Sequence, residues 1–149
     1  MVHALETVHG LLAPGGRVID IHPLTDRAEI DVRAGDAVIP AGRLRESNGG
    51  IEYVNAERAL AAVIQSGLFA LAGERTSSYV HHARSLAELR EHLARTRKDA
   101  IIDDDVAARI ELLLGQAGPG GEVLLREQPR MTRLEPGGVN FPRATPSVR

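Results

Sequence analysis

Apolar positions at the start of the chain repeat with the period of a helix. The pattern predicts an amphipathic helix over residues 2–12, and its apolar positions are Val2, Leu5, Val8 and Leu12. The sequence APGG at residues 13–16 should end this helix, because proline lacks a backbone donor and glycine adopts the left-handed turn conformation. Residues 17–22 (RVIDIH) are nearly continuous in β-branched side chains, which predicts a strand covered on both faces.

The next segment changes to the period of two that is typical of strands. Ile30 and Val32 alternate with charged residues, and residues 34–36 (AGD) have the composition of a turn. We therefore predict a β-hairpin or meander over residues 28–44 that lies off the main sheet.

Helical spacing returns in the second third of the chain. A second helix is predicted over residues 55–66, with Asn55 as its N-cap and Gly67 as its C-terminal glycine. Residues 68–82 follow as a long strand, which we expect to be interrupted near Gly73.

Two further helices precede the last strands. Residues 85–88 (SLAE) form a capping box that begins a third helix. Three aspartates at residues 103–105 stand before a fourth helix, whose dipole favours negative charge at this end. Residues 122–126 and 130–134 predict either two strands or one strand bent around Pro129.

Composition and charge exclude several classes of function. The 149 residues contain no cysteine, which excludes disulfides and zinc–thiolate sites. A net charge of −2 and an aromatic content of 3% give no strong attraction to nucleic acid and no base-stacking platform. The N-terminus lacks the pattern of a signal peptide, and no apolar run approaches the roughly 20 residues of a membrane span. We therefore expect a cytoplasmic protein without nucleic-acid or membrane partners.

The segment ALETVHGLLAPGGRVIDIHP, with the elements that follow it, resembles a known family. It is similar to the helix, turn and fifth strand of class I S-adenosylmethionine-dependent methyltransferases. Residues 53–67 resemble the next helix of that family, residues 69–82 its sixth strand, and residues 122–134 its seventh, which runs antiparallel between the fifth and the sixth. The implied fold is α/β: a partial Rossmann-like methyltransferase sheet (strands five to seven with flanking helices) plus a small β-hairpin and a two-helix insertion of the kind that covers a substrate pocket.

The resemblance defines the expected domains and activity. It makes residues 1–135 a partial methyltransferase-like domain, and we predict a disordered tail at residues 136–149, which are rich in Pro and Gly. It implies methyl transfer from S-adenosylmethionine to an unknown acceptor. The family's Gly-rich turn after the first strand and the acidic residue closing its second strand have no match in these residues. We therefore expect no cofactor to bind the isolated chain, and activity to require an N-terminal cofactor-binding half.

A half sheet has consequences for partners. The strand at residues 17–22 would lack its neighbour on one side, and an unpaired apolar strand favours association. We expect one of three situations: a truncated fragment or misassigned reading frame, pairing with a separately encoded N-terminal half, or self-association through residues 17–22. The alternative function is a non-enzymatic interaction module that binds through the exposed sheet edge, or a fragment with no activity of its own.

Five polar residues are candidates for a site. His22 follows the carboxyl end of a predicted parallel strand, where α/β folds bind ligands, and His81 ends the long strand, so either is a candidate base. Candidate substrate contacts are His22, Tyr53, Arg75 and His82. The plainer interpretation of the histidines, as polar residues at strand ends, stays open beside these roles.

A metal site is not expected. Adjacent residues of a strand point to opposite faces, so His81 and His82 do not readily share an ion, and no histidine pair has the spacing of a zinc-binding helix. Helix capping explains Asp103–Asp105 better than a metal cluster does. Asp20, inside the strand at residues 17–22, has to be paired or protonated if it is buried, and its structural and functional interpretations stay equally open.

Overall fold

A computed structural model describes residues 1–24 and 28–138 of the chain. Within these ranges the elements follow one another as α1 (Val2–Leu11), β1 (Val18–Pro23), β2 (Glu29–Ala34), β3 (Ala37–Arg43), β4 (Arg45–Glu46), α2 (Ile51–Gln65), β5 (Phe69–Thr76), β6 (Tyr79–Ala83), α3 (Leu86–Thr96), β7 (Ala100–Ile101), α4 (Asp104–Ala117), a 3₁₀ turn (Gly118–Gly120), β8 (Glu122–Glu127) and β9 (Pro129–Pro136). The fold is mixed α/β, as the sequence predicts.

The described chain divides into two compact units. Unit 1 consists of Met1–Asp20, Asn55–Glu74 and the described residues from Thr132 onward, whereas unit 2 consists of Ile21–Val54 and Arg75–Met131. The boundary between the units falls inside β1, α2, β5 and β9. Each unit therefore combines segments that are distant in the sequence.

Unit 1 has a small core around the strands β1, β9 and β5, which are hydrogen-bonded in that order. Its fully buried apolar residues come from α2, β5 and β9, and half-buried residues of α1 and β1 pack against them. The buried set is Leu60, Val63, Phe69 and Leu134, and the half-buried set is Leu5, Leu12, Val18, Ile64 and Leu68. Helix α1 ends as predicted, at an APGG turn in which the backbone N–H of Gly16 donates to the Ala13 carbonyl over 2.8 Å.

The prediction that β1 is covered on both faces is wrong. The strand alternates instead: Ile19 is 52% exposed and Ile21 60% exposed, while Val18 and His22 point to the opposite, more buried face. Among the described residues, β9 is the one strand that pairs with β1. Ile19 and Ile21, which suggested burial on both faces, therefore form an apolar surface on the exposed face of β1.

Unit 2 is a four-stranded antiparallel sheet in the order β3-β2-β8-β6. The predicted hairpin is confirmed as β2 and β3, joined at Gly35, whose positive φ of 61° suits the turn. Ile30 pairs with Leu125 and Val32 with Val123, and all four side chains lie on one buried face. The apolar sides of α3 and α4 pack on this face through Leu86, Leu89, Leu93, Ala107, Ile110 and Leu113.

This sheet corrects the predicted arrangement of the hairpin and the two helices. They are not separate additions to one parallel sheet, because β8 pairs with the hairpin on one side and with β6 on the other. The predicted strand at 68–82 is two strands in different sheets, and the break lies at residues 77–78 rather than at Gly73, which is inside β5. The last strands are likewise separate, with Gln128 between β8 and β9.

The helix ends agree with the sequence in part. Ser85 caps α3 as predicted, since its Oγ accepts from the backbone N–H of Glu88 over 3.1 Å. Gly67 has a positive φ of 74° after α2. Helix α2 nevertheless begins at Ile51, so Asn55 is not its N-cap. Asp103 stands at the N-cap position of α4 but makes no capping hydrogen bond, because its carboxylate accepts from the Arg45 guanidinium instead.

Of the predicted tail at residues 136–149, the structure describes residues 136–138. Strand β9 includes Pro136, and the backbone N–H of Gly137 donates to the Leu68 carbonyl over 2.9 Å. The rest of that tail, residues 139–149, lies outside the described residues. Among the helices in the described ranges, none has both the length and the apolar character that crossing a membrane requires.

Candidate functional site

A buried cluster of three charged side chains lies in unit 2. The Nη1 group of Arg97 donates to Oε1 of Glu127, and its Nη2 group donates to Oε1 of Glu46. The side chains of Arg97, Glu46 and Glu127 are only 15%, 12% and 6% exposed. Two carboxylates thus share one guanidinium in a place that is largely closed to water.

Local structure explains why these three residues meet. Glu127 continues the inward-facing positions of Val123 and Leu125 along β8, so the strand period carries its carboxylate into the core face. Arg97 follows the last turn of α3, where its backbone N–H donates to the Leu93 carbonyl over 2.7 Å. Glu46 lies on β4, which pairs antiparallel with β7 just beyond Arg97.

The surroundings of Glu127 favour its protonated form. Burial raises the pKa of this carboxyl group above its ordinary value, and the neighbouring charge of Glu46 raises it further. The cause is that a low-dielectric site disfavours an ionised carboxylate, and a second carboxylate nearby adds repulsion. The cluster therefore holds more acid groups than its one guanidinium neutralises.

A small polar cavity opens beside the cluster. Its volume is about 160 Å³, and both Arg97 and Glu46 contribute to its wall. Tyr53, one of the predicted substrate contacts, also lines it. The full lining is Glu46, Asn48, Glu52, Tyr53, Thr96, Arg97, Lys98 and Asp99. Among the candidates from the sequence, Tyr53 is the one that this cavity includes.

The other candidates lie elsewhere in unit 2. His22 is buried at 8% exposure, and its Nε2 atom is 3.4 Å from Nη2 of Arg130. Because a guanidinium only donates, the Nε2 atom acts as the acceptor in this contact. Arg75, near the end of β5, is exposed.

His81 and His82 point to opposite faces of β6, as predicted. The ring of His81 stacks on that of His92, with centroids 3.6 Å apart and planes inclined by 12°. Burial lowers the pKa of His92, and the neighbouring His81 and Arg95 lower it further. His82 is exposed, and its Nδ1 atom lies 3.1 Å from a Glu122 carboxylate oxygen.

The carboxylate of Glu122 joins His82 to β2. The Nη2 group of Arg33 donates to the same Oε2 atom that contacts His82. The hydrogen bond with His82 lowers the pKa of Glu122, and the Arg33 guanidinium lowers it further. Asp31, also on β2, accepts from Nη2 of Arg126 over 2.7 Å. These contacts have the character of cross-strand ion pairs, which stabilise the pairing of strands on one face of a sheet.

Sequence reasoning missed Glu46, Arg97 and Glu127. Glu127 had a signal, because it keeps the period of two set by Val123 and Leu125 and so falls on the buried face. Arg97 and Glu46 had none, since their positions depend on contacts between distant segments.

Neither a metal centre nor a relative adds to this geometry. Within residues 1–24 and 28–138, no group of three His, Asp or Glu side chains is arranged to hold a metal ion. Comparisons of the chain with protein-family models, curated proteins and solved structures return no match. The features that bear on function are therefore the fold and the cavity beside Arg97.

Proposed function

We propose that this chain is the acceptor-side part of a class I methyltransferase-like protein. In this proposal, methyl transfer from S-adenosylmethionine to an unknown acceptor takes place when a cofactor-binding half completes the sheet. That half carries the Gly-rich turn and the acidic residue that the 149 residues lack. The isolated chain binds no cofactor.

The order of strands in the three-stranded sheet is the observation that carries the proposal. Strand β9, the last in the sequence, lies between β1 and β5. The resemblance implies this order, since it equates β1, β5 and β9 with the fifth, sixth and seventh strands of the family. The connections agree as well, because α1 precedes β1 and α2 comes between β1 and β5. A simple meander of these strands would put β5, not β9, in the middle.

The division of the chain also supports the proposal. Unit 1 is built from three separated segments, and the two long segments between them form unit 2. This is the pattern of a core fold with material inserted after its first and second strands. Unit 2 then supplies residues for the acceptor, and the cavity that includes Tyr53 is its candidate site.

The exposed face of β1 supports a missing partner. Ile19 and Ile21 are both more than half exposed on the same side of the strand. Apolar surface of this kind favours contact with a further protein segment. In the proposal, the cofactor-binding half covers it.

Reconstitution tests the proposal. Equilibrium dialysis with radiolabelled S-adenosylmethionine measures binding to the chain alone and to the chain co-expressed with the coding sequence that precedes it or with neighbouring genes. We expect no binding by the chain alone and saturable binding by one completed complex. Cofactor binding by the chain alone, or no binding by any complex that forms, would contradict the proposal.

A pair of matched variants tests whether β1 forms the joint. Ile19→Asp puts a charge on the exposed face of β1, and Leu112→Asp puts one on the equally exposed outer side of α4. We expect Ile19→Asp to abolish assembly with the completing half and Leu112→Asp to leave it intact. Equal behaviour of the two variants would show that β1 is not the contact.

The second candidate function is a non-enzymatic interaction module. The observation in its favour is the same exposed strand, with Ile19 and Ile21 available for pairing with a second copy or another chain. Here association proceeds without any cofactor binding. A complex that forms through β1 yet never binds S-adenosylmethionine supports this function over the first.

A further inference from the structure

The charges of the Glu46–Arg97–Glu127 cluster do not balance. Two buried carboxylates face a single guanidinium, and all three side chains are at most 15% exposed. Buried ions require partners, because their lost hydration is not otherwise replaced. The raised pKa of Glu127 has the same cause, because burial and the charge of Glu46 both disfavour its ionised form. A second cation near the cluster would lower this cost.

The cavity of about 160 Å³ gives such a cation access to the cluster. Glu46 and Arg97 are part of its wall, so a ligand there lies next to one of the two carboxylates. The exposed residues of the lining add the carboxylates of Glu52 and Asp99 and the ammonium group of Lys98. Over the whole lining, three carboxylates therefore face two cationic groups, an excess of one negative charge.

The polar groups of the lining match an ammonium ion better than an anion. An ammonium group donates three hydrogen bonds, and the residues that line the cavity include three carboxylates, a threonine and a tyrosine, whose side chains are able to accept them. An anion would meet Arg97 with both of its terminal nitrogens already bound to carboxylates. It would also add negative charge to a cluster that has too much.

We propose that this cavity is a binding site for a small organic ammonium ion, of the size of an amino alcohol, which supplies the positive charge that the Glu46–Arg97–Glu127 cluster lacks. The cavity is the one proposed above as the candidate acceptor site, so the inference names a class of acceptor and in that respect rests on the proposed function. Binding of the ion requires unit 2 alone and no cofactor, so its failure is distinguishable from a failure of the completed complex to bind S-adenosylmethionine.

A nuclear magnetic resonance titration of the ¹⁵N-labelled chain tests the site. The probe is 2-aminoethanol at neutral pH, where it is a cation. Ethylene glycol is the neutral control of similar shape, and sodium acetate is the anionic control. We expect saturable shifts of the amides of residues 96–99 with 2-aminoethanol alone. Equal shifts with ethylene glycol or acetate, or no saturable shift with 2-aminoethanol, overturn the proposal.

Two variants connect binding to the cluster. Glu46→Gln keeps the shape and an acceptor for Arg97 but removes one negative charge, so affinity should fall by about tenfold or more, the effect of losing one charge-assisted hydrogen bond. Glu91→Gln is the control, because this glutamate of α3 is exposed, pairs with Arg95 and is not part of the cavity lining. Unchanged affinity in Glu46→Gln overturns the proposal. If that variant does not fold, the comparison of the three probes on the unmodified chain decides.

Discussion

The two units differ in how completely they bury their apolar surface. In unit 2, α3 places three leucines, Leu86, Leu89 and Leu93, at 4% exposure or less against the sheet. In unit 1, α1 has no buried residue at all, and Leu11 at its end is 79% exposed. The strands differ too, since Ile30 and Val32 of β2 in unit 2 are fully buried, whereas Ile19 of β1 in unit 1 is 52% exposed.

This difference separates helices that are packed on a buried face from a helix and a strand that stay largely exposed. Helical stability in proteins comes mostly from the packing of an apolar face, so α3 is held by its surroundings and α1 far less. Exposed apolar surface on an edge strand favours association, which is the property that the proposed function requires of unit 1. Unit 2 needs no such completion of its core. Substitutions at buried positions of unit 2 should therefore cost more stability than substitutions at exposed positions of unit 1.

The largest effect should follow the loss of the Arg97 guanidinium. Arg97→Met leaves the carboxylates of Glu46 and Glu127 buried without their shared cation. Breaking a buried ion pair in this way costs about 3–5 kcal/mol. Urea denaturation measures the change in the free energy of unfolding. The control is Arg95→Met, because the Arg95 side chain is 69% exposed and should change stability by no more than about 0.5 kcal/mol.

An outcome for Arg97→Met that matches the Arg95 control would contradict the buried cluster. It would mean that water reaches Glu46 and Glu127 freely enough to solvate their charges.

The next effect concerns the close approach of α4 to β3. A Cβ atom added at Gly42 would lie 2.6 Å from Cγ2 of Val106, so Gly42→Ala forces the helix or the strand to move. Overpacking of this kind costs about 1–3 kcal/mol. In unit 1, a Cβ added at Gly73 of β5 meets nothing within 4 Å. Gly73→Ala should therefore be neutral or stabilising, by up to about 1 kcal/mol.

Thermal and urea unfolding compare the two glycine variants directly. The double variant Gly42→Ala/Val106→Ala should recover part of the loss, since it removes the methyl groups that the new Cβ meets. If Gly42→Ala is as stable as Gly73→Ala, then unit 2 is not packed more tightly than unit 1 at these positions.

A smaller effect distinguishes the starts of the two helices. Ser85 caps α3 through its hydroxyl, while Met1 at the corresponding position of α1 makes no side-chain cap. Ser85→Ala should cost about 1 kcal/mol in urea denaturation. Ser78→Ala is the control, because Ser78 is exposed and precedes a strand. A loss no larger than that of the control would mean that the hydroxyl of Ser85 does not contribute to stability.

Acidification should weaken unit 2 through the histidine stack. The pKa of His92 is below its ordinary value of 6.5 when folded, mainly through burial and also through His81 and Arg95. The folded state therefore favours the neutral ring, and this contribution to stability is complete above pH 6.5 and is lost as the pH falls through the folded pKa. The carboxylate of Glu88 interacts with His81, and it partly offsets the repulsion between His81 and a protonated His92. Stability measured against pH should fall less steeply below pH 6.5 in His92→Gln; an unchanged slope would exclude this cause.

Local elements could be predicted from the sequence because their signals are local. The capping box at Ser85 begins α3, and the alternation around Ile30 and Val32 gives the hairpin strands. Strand partners were harder, since β2 pairs with β8 some ninety residues later in the sequence. The continuous apolar segment at 17–22 was misleading, because β-branched residues favour strands whether or not both faces are covered.

The same limit applies to the candidate site, where contacts between distant segments of the chain could not be predicted. Tyr53 was a candidate substrate contact in the sequence and lines the cavity, but Arg97 owes its role to two carboxylates on the strands β4 and β8. His81, a candidate base in the sequence, stacks on His92, a helix residue that no sequence pattern connects to it. Long-range packing decides such contacts, so periodicity and spacing could not reveal them.

The smallest change in stability is expected at Ile19, on the exposed face of β1 in unit 1. Ile19→Thr keeps a β-branched residue on β1 while removing exposed apolar surface, so the free energy of unfolding should change by no more than about 0.5 kcal/mol. Val63→Thr makes the same type of change inside the core of unit 1, where Val63 is 1% exposed, and should cost about 1–3 kcal/mol. Sedimentation velocity over a range of concentrations then measures association. If β1 is the contact between copies, Ile19→Thr shifts the chain toward monomer at unchanged stability; if the unmodified chain is a monomer at every concentration, self-association through β1 is excluded and only a different partner could cover this face.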